Sequence, residues 1–89
     1  TTGLPKAAII HHIRPFVIGA ACCDVFHLRD SGEVIFGSGL PLYHTTGGLA
    51  GLGMSWVLAC PFAIKRKFRA STFWDDCAQY KATVIQYIG

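Results

Sequence analysis

Thr1-Thr2-Gly3-Leu4-Pro5-Lys6 places two hydroxyls, a glycine and a lysine within one short stretch. Hydroxyls and backbone amides donate to phosphate oxygens, a glycine lets the backbone come close, and an ammonium neutralises charge. The stretch is therefore chemically suited to cradling phosphate. It is not a Walker A loop, because Lys6 follows Pro5 rather than glycine and no Ser or Thr succeeds it. Nor does a G-x-G-x-x-G occur: Gly37 and Gly39 would need a third glycine where Leu42 stands. On spacing alone, an ordinary turn explains the stretch as well as a phosphate loop does.

The histidines and cysteines offer less. His44 follows Tyr43 inside an apolar run, where a single His is ordinarily a hydrogen-bonded core residue. His11 and His12 are adjacent and lack the i, i+4 spacing of helical metal ligands, which favours a structural role. Cys22, Cys23, Cys60 and Cys77 form no C-x-x-C, so neither a zinc site nor a disulfide framework is expected. They read as reduced thiols that fill core space. No metal-ligating residue is assigned.

The elements that must position these groups follow from periodicity and punctuation. Ala7 to Ile10 is a short apolar run after a Gly-Pro loop and reads as a buried strand. Pro15 belongs in a first helical turn, so a helix begins near Arg14 and is expected to bury Phe16, Val17, Ala20 and Ala21. Val34-Ile35-Phe36 reads as a strand. Between Val34 and Ile64 there is no Asp, Glu, Lys or Arg. The part from Gly47 to Ile64 is long enough to span a bilayer, and Gly47 with Gly51 makes a G-x-x-x-G. Its four glycines and Pro61 favour a buried helix over Thr46 to Ala59, then a strand around Phe62 to Ile64. Ser71 is a good N-cap for a last helix, with Asp75 and Asp76 near its positive end. Phe73, Trp74, Cys77 and Ala78 should form its apolar face, opposite Asp75, Asp76 and Gln79. Thr83 to Tyr87 closes as a strand. Strands alternating with helices predict an α/β fold with a parallel sheet.

Of the 89 residues, 52% are hydrophobic and 15% charged, with a mean hydropathy of +0.40. Ordinary soluble domains carry about 25% charge. So little polar surface suits a membrane segment or a piece from the interior of a larger protein. The net charge of +3 is mild, and four of the eight basic residues crowd into Lys65-Arg66-Lys67-Phe68-Arg69. Such a run is commonly a solvated turn, and its sharper reading is contact with phosphate or anionic lipid. Nucleic acid is not expected, because no stacking aromatics interleave the charges. The chain opens without Met or a signal-peptide pattern and stops directly after an apolar run, which suggests an internal piece.

Several of these stretches resemble a known family. Thr1 to Lys6 is similar to the second half of the signature loop of the AMP-binding, adenylate-forming superfamily. Lys6-Ala7-Ala8, Leu40-Pro41-Leu42-Tyr43-His44, Lys67 through Cys77 and Thr83 through Gly89 resemble its branch of very-long-chain acyl-CoA synthetases and fatty acid transport proteins. The resemblance is collinear over essentially the whole chain. Cys60-Pro61-Phe62 departs from it, standing where relatives usually carry a Gly-Ala turn, and Ala21 to Ser31 differs in detail.

The resemblance implies that residues 1–89 are a fragment of one adenylation domain, a partial three-layer sheet-and-helix piece. It implies a parent that activates long or very long chain fatty acids with ATP, Mg²⁺ and CoA and supports their uptake. It puts Thr1, Thr2, Gly3 and Lys6 at the ATP phosphates, with Lys6 catalytic by electrostatics. It puts Tyr43, His44, Gly47 and Gly48 along an apolar acyl pocket, where the small residues would leave room for a chain, and has His12 orienting the loop backbone. The parent would be membrane-associated and cytosol-facing, at the endoplasmic reticulum, peroxisome or plasma membrane. The segments for adenine, ribose and the C-terminal catalytic lysine are absent, so the fragment itself should be inactive. The alternatives are a membrane-inserted fatty acid transport segment and a truncated, non-catalytic interaction product.

Overall fold

A computed structural model describes residues 3–88. Its elements are α1 (Arg14–Val25), β1 (Ile35–Phe36), a π-helix (Thr45–Gly51), α2 (Leu52–Leu58), β2 (Phe62–Ala63), a 3₁₀ turn (Ala70–Thr72), α3 (Phe73–Tyr80) and β3 (Val84–Ile85). The strands form one parallel sheet in the order β2-β1-β3, with Ile35 opposite Phe62 and Val84. The α/β alternation and the parallel pairing agree with the sequence. The strand foreseen over Ala7 to Ile10 does not form: that stretch is irregular, and Ile9 is 88% exposed. Its apolar residues meet no pairing partner among the described strands, and a strand without a ladder leaves its backbone polar groups unsatisfied.

Because successive strand residues point to opposite faces, Ile35 and Phe36 anchor two separate layers. Ile35 is fully buried in a cluster with Cys23 of α1, Met54 and Leu58 of α2, and Cys60. Phe36 turns the other way, its ring 5.8 Å from that of Phe73 and 5.7 Å from that of Tyr80 on α3. Helices thus cover both faces of the sheet, giving three layers. Cys23 and Cys60 are the small core residues expected of them, all four cysteines are free thiols, and burial raises the pKa of Cys23, Cys60 and Cys77.

α1 starts where Pro15 sets it, but the face it packs is not the one periodicity suggested. Phe16 and Val17 stay 45% and 55% exposed and Ala20 and Ala21 are exposed, whereas Gly19 and Cys23 are buried. The reason is the crossing with α2. A Cβ on Gly19 would overlap the backbone of Gly53, and one on Gly53 would overlap the Pro15 carbonyl. Two facing glycines bring the helix backbones together, and that contact turns the bulkier residues outward. Phe16 then meets Trp56 at the rim, rings 5.3 Å apart.

The helix foreseen over Thr46 to Ala59 is present within a residue at each end, but its first half is a π-helix. Ala59 ends it in the left-handed conformation, φ 54°. No helix among the described residues is long and apolar enough to cross a membrane.

α3 departs from its predicted cap and face. Thr72, not Ser71, occupies the N-cap position, and its hydroxyl donates to the Asp76 carboxylate at 3.1 Å rather than capping the backbone. Asp76, expected on the solvent side, is buried and takes a hydrogen bond from the Lys65 ammonium at 2.8 Å. Trp74, expected in the core, is 72% exposed, its ring edge-on to Phe73. Phe73, Asp76 and Tyr80 lie at i, i+3 and i+7, so they share the inward stripe that Trp74 misses.

Candidate functional site

Thr1 and Thr2 of the candidate phosphate loop lie outside the described residues. Gly3 has φ 97°, a conformation that favours glycine, and leads through Leu4 and Pro5 to Lys6, whose side chain is exposed. No hydrogen bond or ion pair among the described residues engages Lys6. His11 and His12 are exposed at the entry to α1. The His11 carbonyl accepts the Arg14 amide at 2.9 Å, and His12 lines a hollow with Phe16 and Trp56.

Tyr43, His44, Gly47 and Gly48 do come together, at the turn that leads into the π-helix. The His44 amide donates to the Pro41 carbonyl at 3.1 Å, and the His44 carbonyl accepts the Gly48 amide at 2.8 Å. The Tyr43 and His44 rings lie 4.8 Å apart, and Tyr43 is 86% exposed. The glycines face the preceding loop. A Cβ on Gly47 would sit 2.6 Å from the Pro41 carbonyl oxygen, and one on Gly48 would overlap that of Leu42. Close backbone approach, not room for a guest, is what requires glycine at both positions.

Two residues passed over by the sequence reading stand beside this turn. Gln86 directly follows β3 and is buried, its amide donating to the Phe36 carbonyl at 3.2 Å. Its side-chain Nε2 donates to the Thr46 carbonyl in the first turn of the π-helix at 2.9 Å, while its buried Oε1 has no partner. Ser38, two residues beyond β1, is buried with φ 57° and an unpartnered hydroxyl. Both lie past the carboxyl ends of neighbouring parallel strands, the side on which open α/β sheets bind ligands. A buried polar atom without a partner is costly, so each such atom calls for an explanation. A polar residue at the end of an apolar strand is the signal that could have found Gln86.

Elsewhere, Phe68, Phe73, Trp74, Ile85, Tyr87 and Ile88 help line an apolar hollow of about 510 Å³. The basic run borders a second hollow of about 410 Å³, where Arg66, Lys67 and Arg69 make no ion pair among the described residues. Among the described residues, no three His, Cys, Asp or Glu side chains gather where they could hold a metal ion.

This α/β segment, with a glycine-bounded loop before its first helix and a charge-free π-helical turn, matches known proteins from end to end. It is 44% identical over all 89 residues to long-chain fatty acid transport protein 1 of Rattus norvegicus, covering 14% of that protein. It is 46% identical to long-chain fatty acid transport protein 2 of the same species, again over 14% of its length. With long-chain fatty acid transport protein 3 of Mus musculus it shares 43% identity over 13% of that chain. Over its whole length the chain is similar to a stretch of the fatty acid transport proteins, which belong to the acyl-CoA synthetase branch. It spans about one-seventh of the relatives it matches. No family model matches the chain. No solved structure matches it either.

Proposed function

We propose that residues 1–89 are a piece of the N-terminal adenylation domain of an ATP-dependent long- or very-long-chain fatty acyl-CoA ligase that also supports fatty acid uptake. The observation that carries this reading is the end-to-end similarity to fatty acid transport proteins. In the proposed reaction the fatty acid carboxylate attacks the α-phosphate of ATP, forming acyl-adenylate and releasing pyrophosphate. The CoA thiol then attacks the acyl carbon and releases AMP. Mg²⁺, when bound, would screen the phosphate charge.

Within this segment, Gly3 and Lys6, together with Thr1 and Thr2, would hold the outer phosphates. The Lys6 ammonium would stabilise charge building on the departing pyrophosphate, which is electrostatic rather than acid-base catalysis. Tyr43 and His44 would form one side of the acyl pocket, completed by surfaces beyond the segment. Gly47 and Gly48 would shape that side indirectly, by letting the Leu40–Leu42 loop close against the π-helix. The parent would associate with a membrane on its cytosolic side, at the endoplasmic reticulum, peroxisome or plasma membrane.

Lys6→Ala in the full-length protein tests the assignment. Losing one charge-assisted contact costs about 1.5–3 kcal/mol, or roughly ten- to a hundred-fold in rate. Fatty-acid-dependent exchange of labelled pyrophosphate into ATP should fall by that factor while fatty acid affinity holds. Equal exchange in mutant and wild type would reduce Lys6 to a turn residue.

A further inference from the structure

We infer that Gln86 is a positioning residue: its side chain latches the first turn of the π-helix and so sets the orientation of Tyr43 and His44. The inference deepens the acyl-pocket reading and rests on it for its functional half only.

The segment Thr45–Gly51 has little of its own to hold it. Three of its seven residues are glycine, its N-terminus has no side-chain cap, and π geometry is rare and frequently found at functional sites. Among the described residues, the Gln86 Nε2–Thr46 carbonyl bond is the one side-chain hydrogen bond that reaches it, and it spans 40 positions of sequence. Gln86 is itself fixed, because its backbone amide is tied to β1 at Phe36. The latch therefore references the π-helix to the centre of the sheet.

The connection onward is short. Thr46 is two residues from His44, whose carbonyl is held by the Gly48 amide and whose amide is held by Pro41. A slip of the π-helix therefore moves the His44 backbone. An apolar side chain at position 86 would fill the buried space without leaving Oε1 unpaired against Gly51, yet it could not hold Thr46. Glutamate would keep the shape but, when ionised, lacks the N–H donor.

The test uses the full-length protein with Gln86→Leu and Gln86→Glu, and Gln86→Asn as a milder change should the others melt early. Hydrogen exchange at the amides of Thr45 to Gly51 should quicken about fivefold, the worth of one ordinary hydrogen bond. Affinity for palmitate, read by displacement of a fluorescent fatty acid, should weaken by a similar factor while KM for ATP stays within twofold. Unchanged exchange would mean there is no latch. Faster exchange with unchanged palmitate affinity would leave Gln86 merely structural, and either result overturns the inference. A wild-type parent that forms no acyl-CoA would sink the ligase reading, but the exchange and palmitate arms would still decide on the latch.

Discussion

Asp76 shows how a single residue can be misplaced by helical periodicity and then explained by chemistry. Its side chain enters the interior because the Lys65 ammonium and the Thr72 hydroxyl both meet the same carboxylate oxygen. The hydrogen bond from Lys65 is the main reason its carboxyl is held below the usual range, with Thr72 adding to it and burial opposing it. A carboxyl with a lowered folded pKa contributes stability that is complete above its unfolded pKa and is lost as pH falls through the folded one. Asp76→Asn should therefore melt below wild type at neutral pH, and the difference should close below about pH 4. Thermal melts of both full-length proteins across that range check it. A gap independent of pH would mean that the side chain's shape, not its charge, matters.

Among the elements, the crossing of α1 and α2 decides more than the hydrophobic pattern of either helix. Gly19 and Gly53 touch through their backbones, so α1 buries Gly19 and Cys23 and leaves Phe16 and Val17 at the rim. Side-chain bulk at the crossing must push the helices apart. Gly19→Val in the full-length protein should destabilise by about 1–3 kcal/mol or more, the range of core overpacking. Chemical denaturation measures it, with Ala20→Val, on an exposed position, as the control. Equal midpoints for the two variants would show that the crossing tolerates separation. The same logic applies to Gly48, where a leucine would collide with the Leu42 carbonyl before it could narrow any pocket. A changed chain-length preference in Gly48→Leu would thus report a displaced loop.

The described residues place many large apolar side chains on the surface. Leu4, Ile9, Tyr43, Trp74, Tyr87 and Ile88 are each at least 69% exposed, and each strand is two residues long. A three-stranded parallel sheet with open edges buries little and invites association. The isolated 89-residue chain should therefore be poorly soluble and form no acyl-CoA from ATP, CoA and palmitate. A purified, monomeric 89-mer that makes the thioester would refute both parts of that expectation.

Alternation of strands and helices, the parallel pairing, the start of α1 at Pro15 and the end of α2 before Pro61 could all be read from the residues. Each rests on local rules: proline geometry, glycine punctuation and hydrophobic runs. Lys6 and the Tyr43-His44 turn were singled out by short motifs that resemble the family, and their roles rest on the proposal. The inward face of α1, the burial of Asp76, the exposure of Trp74 and the π geometry were not. Three of these involve a partner distant in sequence: Gly53 for Gly19, Lys65 for Asp76, and Gln86 for the turn at Thr46. Local pattern shows which residues favour burial, but only packing decides which of them meet, because a backbone contact or a buried hydrogen bond outweighs the small preferences of a helix face.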